Sequence, residues 1–176
     1  GGDAARPASQ QRWALPPSAA YDPVRAQPDR VSSMRACALE ELPTPDCERL
    51  LIDRALVDQL DPLFQMTLVA GQRAYESAQT ASIDPARVGV ILGNIVLPTD
   101  HSSALAEQHL GPSLAASLGA PGIRWEAPAC HPLDRHPAGL PAGLLARALG
   151  LGGPCHTLDA ACASSQENPR KSEGGS

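Results

Sequence analysis

The chain has 176 residues, with 14 lysine plus arginine against 19 aspartate plus glutamate and a formal net charge of -5. That balance excludes the broad basic face a phosphate backbone requires, so nucleic acid is not an expected partner. The length suits one domain with a real core, but 18 prolines limit how much of it packs, and 3% aromatics leave that core to aliphatic side chains.

Five cysteines, at positions 37, 47, 130, 155 and 162, are odd in number and irregular in spacing. A closed disulfide framework is therefore not expected, and a reducing cytoplasm is the expected location. The opening Gly1-Gly2-Asp3-Ala4 has neither a basic nor an apolar leader region, and no later stretch reaches the roughly 18 apolar residues of a membrane span, so no membrane partner is expected.

Residues 1–45 carry seven prolines and no sustained period of 3.6 or 2, which predicts irregular chain pinned by Trp13, Tyr21 and Val31. At Thr44-Pro45-Asp46 a hydroxyl is placed to cap a helix and proline to occupy its first position. Leu51 with Ala55, and Ile52 with Leu56 and Leu60, then recur at spacing four, predicting a helix over 46–60. Asp61-Pro62 repeats the device before the apolar run Leu63–Ala70, so a second helix is expected, buried mainly in its first half.

Ile83–Arg87 reads as a turn, and Val88–Val96 as a strand apolar on both faces, as in a sheet covered by helices on each side. Ser102 or Ser103 is the expected cap of a helix over 104–110, with Gly111-Pro112 breaking it before a short stretch from Ser113 to Leu118. Residues 119–137 read as a long loop. Leu140–Leu149 reads as a helix with proline in its first turn, stopped by Gly150-Leu151-Gly152-Gly153-Pro154. A short strand then leads from Cys155 into small residues able to begin a buried helix. The expected organisation is an irregular region over 1–45, an α/β domain over 46–165, and a polar, disordered tail over 166–176.

The candidate catalytic residue is Cys162. At a junction between strand and helix its sulfur would meet the unpaired N–H groups of a first turn, which favour thiolate over thiol. Ala160, Ala161, Ala163, Ser164 and Ser165 leave room for backbone to approach closely, and the N–H of Cys162 could face the oxygen of a thioester carbonyl under attack. The alternative is an inert buried cysteine in an alanine-rich element. His156, six positions earlier on a strand, has no fixed reason to reach the sulfur. His131 and His136, with Cys130 nearby, lack compact ligand spacing, so no metal site is expected.

The segment Thr157-Leu158-Asp159-Ala160-Ala161-Cys162-Ala163-Ser164-Ser165 resembles the nucleophile segment of the beta-ketoacyl synthases, the condensing enzymes of fatty acid and polyketide synthesis. In family order, Leu60-Asp61-Pro62 resembles the lead into the first long helix, Arg87–Asn94 the central strand, and Gly150–Pro154 the turn before the nucleophile strand. The resemblance runs from about residue 12 to residue 165 and is closest to synthase domains of modular polyketide or polyunsaturated fatty acid synthases. It implies the incomplete N-terminal half of a thiolase-like fold, with helices packed on a mixed β-sheet, and a homodimer for the complete enzyme.

The implied activity is decarboxylative condensation of an acyl group held on Cys162 with a malonyl thioester, giving a 3-oxoacyl thioester. The implied partner is an acyl carrier protein, whose phosphopantetheine thioester delivers the substrate; no permanently bound cofactor is implied. The two histidines that support decarboxylation belong to the family's second half, and no residue of this chain is assigned their role. The family's opening strand is not recognisable before Trp13, and polar Gln166–Ser176 stands where an apolar helix is expected. A catalytically inactive fragment serving as a packing or interaction partner is the alternative.

Overall fold

A computed structural model describes residues 5–8, 16–24, 28–37, 39, 41–78, 80, 82–95, 99–119, 130–159 and 161. The chain divides into two compact units, Gly1–Glu41 and Leu42–Ser176.

In the first unit, strand β1 (Arg6–Pro7) pairs antiparallel with β2 (Arg35–Ala36), and a single-turn helix α1 (Pro17–Ala20) lies between them in sequence. Tyr21 and Val31, two of the three expected pins, form an isolated parallel bridge. Trp13 lies outside the described residues.

The second unit carries the core. The helix expected over 46–60 is instead two short pieces, a 3₁₀ turn at Cys47–Arg49 and helix α2 (Arg54–Val57). Asp46 and Asp53 cap these pieces by accepting from the N–H groups of Glu48 and Ala55, so Thr44 is not the cap. The break has a tertiary cause. The Leu51 N–H donates to the Ala148 carbonyl at 2.7 Å, which removes it from any helical ladder, and Leu51 itself is 73% exposed. Leu50, Val57 and Leu60 are the residues that become buried.

Helix α3 (Pro62–Ser77) forms as its pattern predicts, with Pro62 in the first turn and the Asp61 carboxylate accepting from Leu63 N–H. Phe64 and Leu68 are fully buried one turn apart, with Thr67, Val69 and Gln72 buried beside them. Gly71 marks the closest approach to the next core helix, because a Cβ there would lie 2.2 Å from Leu145 Cδ2. That helix, α5 (Leu140–Ala148), buries six of its nine residues, since α3 packs on it and the sheet packs on it too.

The sheet consists of β3 (Val90–Gly93) and β4 (Cys155–Leu158), parallel, with Val90 opposite Cys155 and Gly93 opposite Leu158. A parallel pair needs a crossover, which here contains α4 (Asp100–Ser117), a 3₁₀ turn at Pro132–Arg135 and α5. β3 is shorter than the expected Val88–Val96, and its faces are unequal. Val90 and Leu92 join the core with α5, whereas Ile91 is 43% exposed on the other face. Both antiparallel and parallel pairing occur, in two separate two-stranded sheets among the described residues.

Two further expectations are corrected in the crossover. Helix α4 is one continuous element with Pro112 inside it, and its cap is Thr99, which forms a reciprocal capping box with Ser102. Ala104, Gly111 and Ala115 bury one face of small residues along its length, while Pro112 is exposed, so the carbonyl left without a donor is on the watered side. Within the expected loop 119–137, Pro132–Arg135 forms a capped 3₁₀ turn; residues 120–129 lie outside the described residues. No helix among the described residues is long and apolar enough to cross a membrane.

Candidate functional site

The segment approaching Cys162 is set by how β4 enters and leaves the sheet. Helix α5 stops at Gly150, whose φ of 69° admits the left-handed turn. Leu151 N–H then bonds to Ala146 O at 2.8 Å and Gly150 N–H to Arg147 O at 3.1 Å, the paired bonds of a Schellman cap. Gly153 follows, so close to β3 that a Cβ would lie 2.5 Å from the Val88 carbonyl oxygen. Its N–H donates to that same oxygen at 3.0 Å, and Val90 N–H donates to Pro154 O at 2.9 Å. The expected glycine-rich stop is thus both a helix terminator and the tight entry to β4.

At the exit, Asn94 N–H donates to Leu158 O at 2.9 Å and the Asn94 side chain donates to Pro137 O at 3.1 Å, closing the strand ends. Thr157 lies next to the start of α5, where its hydroxyl accepts from Ala142 N–H at 3.4 Å and donates to Gly139 O at 3.5 Å. Gly139, the residue before α5, has no side chain to cap with, and Thr157 supplies that group from the neighbouring strand.

Beyond β4 the chain turns at once. The Asp159 carboxylate accepts from Ala161 N–H at 3.1 Å, and Ala161 has φ of 49°, left-handed for a residue with a Cβ. Such a conformation costs about 1–2 kcal/mol. Cys162 itself lies outside the described residues, as do Ala160, Ala163, Ser164, Ser165 and the whole 166–176 segment. His156 is exposed on β4, opposite Ile91 in register.

A second polar centre was not anticipated from sequence. Asp61 and Asp134 are 3% and 2% exposed, and they join three element starts. Asp134 accepts from Asp61 N–H through Oδ1 at 2.8 Å and from His131 N–H through Oδ2 at 3.1 Å, and His101 Nδ1 lies 2.9 Å from the same Oδ2. The other Asp61 oxygen accepts from the Thr99 hydroxyl. Cys130 Sγ lies 3.5 Å from the His101 carbonyl oxygen as a long donor contact. Burial raises the Cys130 thiol pKa, with the charges of Asp134 and then Asp61 adding to the shift.

The residues weighed for a metal from sequence are separated by this arrangement. His131 Nδ1 accepts from Leu133 N–H at 3.2 Å as the cap of the 3₁₀ turn, and His136 ends that turn. Cys130 instead meets His101 and Asp134, 29 residues upstream and four downstream, and no local spacing could have signalled that.

No curated protein matches the chain. A solved structure described as "PfaC Keto synthase-Chain length factor" is similar over 92% of this chain at 27% identity, with a TM-score of 0.66. The chain spans 18% of that protein's length. The family model described as "Beta-ketoacyl synthase, N-terminal domain" matches residues 1–168. With an α/β core whose glycine-rich turn leads into β4 as the resemblance implied, the chain belongs to the beta-ketoacyl synthase N-terminal domain family, a part of the thiolase-like fold.

Proposed function

We propose that this chain is the acyl-accepting segment of a condensing enzyme and that, as a separate polypeptide, it acts as a packing partner rather than a complete catalyst. The observation that carries the first part is the left-handed turn at Ala161, held by Asp159, immediately before the sulfur-bearing residue. Family membership supplies the chemistry, and the second part rests on the matched domain being the family's N-terminal one, to which the two histidines that support decarboxylation do not belong.

In the proposed reaction the Cys162 thiol, losing its proton, attacks the carbonyl of an acyl thioester on an acyl carrier protein. The pantetheine sulfur leaves and takes up a proton, and a new thioester joins the acyl group to Cys162. A malonyl thioester then loses carbon dioxide, and the resulting carbanion attacks the acyl-enzyme carbonyl. The carbon–carbon bond forms, the Cys162 sulfur is expelled, and a 3-oxoacyl thioester is released. The N–H of Cys162 itself is the proposed donor to the oxyanion of each addition.

The test is intact-mass analysis of the full chain with an acylated carrier protein, alone and mixed with a polypeptide carrying the remaining synthase sequence. Acylation of the mixed sample at one site, lost in Cys162→Ala, is the expected result, with no 3-oxoacyl product from the chain alone. Condensation by the chain alone would overturn the packing-partner reading. A folded assembly that never acylates would overturn the role of Cys162.

A further inference from the structure

We propose that His101, Cys130 and Asp134 form a binding site for a divalent transition metal of the zinc type, separate from the segment around Cys162. A ring nitrogen of His101, the Cys130 sulfur and a carboxylate oxygen of Asp134 all lie within 4.8 Å of one another. Ligands of one tetrahedral zinc ion are about 3.3–3.8 Å apart, so the widest separation has to close by up to about 1 Å while His101 Nδ1, 2.9 Å from Asp134 Oδ2, has to open slightly. That movement is open to it, because His101 is at the exposed start of α4, with 32% of its side chain accessible, and Cys130 precedes the 3₁₀ turn rather than lying inside it.

The donor set selects the metal. Thiolate and imidazole favour zinc over magnesium or calcium, which take oxygen ligands. Three protein ligands leave the fourth tetrahedral position for water.

Charge and second contacts support the site independently of spacing. Asp134 is 2% exposed and Asp61, also buried, donates its N–H to it. Among the described residues, the cationic partner of these two carboxylates is the His101 ring, which is charged only when protonated. The N–H and hydroxyl donors already on these carboxylates are neutral, and a dication at Asp134 would add a full charge opposite them. The ligand Asp134 is meanwhile oriented by N–H donors from Asp61 and His131, the kind of outer support that ligating carboxylates require.

The metal would fasten the start of α4 to the 3₁₀ turn, with Asp61 linking both to α3. Its proposed effect is to hold these element starts together, and that stands whether or not Cys162 carries an acyl group.

The experiment is titration of the reduced full chain with zinc by calorimetry and with cobalt(II) by absorbance. One equivalent should bind, with a thiolate-to-cobalt charge-transfer band and tetrahedral d–d bands, and the thermal midpoint should rise with zinc concentration. Cys130→Ser should abolish the charge-transfer band, and His101→Gln should weaken zinc binding at least tenfold. Neither change touches the bond between Asp61 N–H and Asp134, so both variants should keep the far-ultraviolet dichroism of the parent. Cys37→Ser, Cys155→Ser, His131→Gln and His136→Gln should leave the band intact. A cobalt band that survives Cys130→Ser, or the absence of any band in a chain whose dichroism shows it folded, would overturn the proposal. Should Cys130→Ser lose that dichroism, Cys130→Ala carries the same test.

Discussion

Ala161 holds a left-handed conformation that glycine adopts without a Cβ penalty, one residue before the proposed acyl acceptor. Ala161→Gly should stabilise the full chain by about 0.5–1 kcal/mol in urea unfolding, and Ala161→Val should destabilise it by about 1–2 kcal/mol. If both substitutions were neutral, the turn would store no strain. The opposite constraint acts at Gly153, where a Cβ would collide with the Val88 carbonyl and the Gly89 nitrogen. Gly153→Ala should cost about 2–3 kcal/mol, because backbone cannot yield as a side-chain tip can. The thiols provide a pH test. Burial is the leading cause that raises both the Cys47 and the Cys130 pKa; at Cys47, Arg54 opposes the shift and Asp58, Asp46 and Asp53 add to it. Folding holds these protons, so their stabilising effect is complete at neutral pH and is lost as pH rises above the ordinary thiol range of about 8.5. Alkylation by iodoacetamide with mass mapping should therefore reach exposed Cys37 and Cys155 first, and Cys47 and Cys130 only at higher pH.

Among the elements, α4 departs furthest from its sequence pattern. Glycine and proline at 111 and 112 predict a break, yet the small buried face Ala104, Gly111 and Ala115 runs through it unbroken. Packing of that face outweighs one lost hydrogen bond on the exposed side. Restoring the N–H with Pro112→Ala should stabilise the chain by about 1–3 kcal/mol, read as a rise in thermal midpoint with unchanged helix boundaries by amide exchange. The segment 46–60 shows the converse, because its apolar spacing of four is helical but the Leu51 N–H is claimed by the Ala148 carbonyl. The α3–α5 contact was not foreseen; the pattern predicted the two helices, with only α3 expected to be buried, in its first half. Its close packing depends on Gly71 against Leu145, and Phe64→Ala on the same helix should cost about 3–5 kcal/mol, as expected for a fully buried aromatic.

Across the whole molecule, apolar side chains remain outside the core in an ordered arrangement. Leu110, Leu114 and Leu118 are 66%, 51% and 70% exposed at spacing four along and just past α4, and Ile91 is exposed on the sheet. A stripe of that kind is a liability in water. The full chain should bind an apolar dye and self-associate with rising concentration in light scattering, and the pair Leu114→Lys with Leu110→Lys should reduce both. Unchanged dye binding in the pair would show that the stripe is covered in solution.

The local chemistry of the sequence determined α3, α5, the glycine-rich stop and the positions of β3 and β4, because caps, helical periodicity and positive-φ glycines act within a few residues. It also carried the family, through the segment around Cys162. Tertiary structure alone decided that 46–60 breaks, that α4 does not, and that one face of β3 stays exposed, since each follows from what a distant element offers as partner. The junction of Asp61, Thr99, His101, Cys130 and Asp134 belongs to the same class. Its members are brought together from three separate element starts, and a buried carboxylate is stable only where folding delivers its donors.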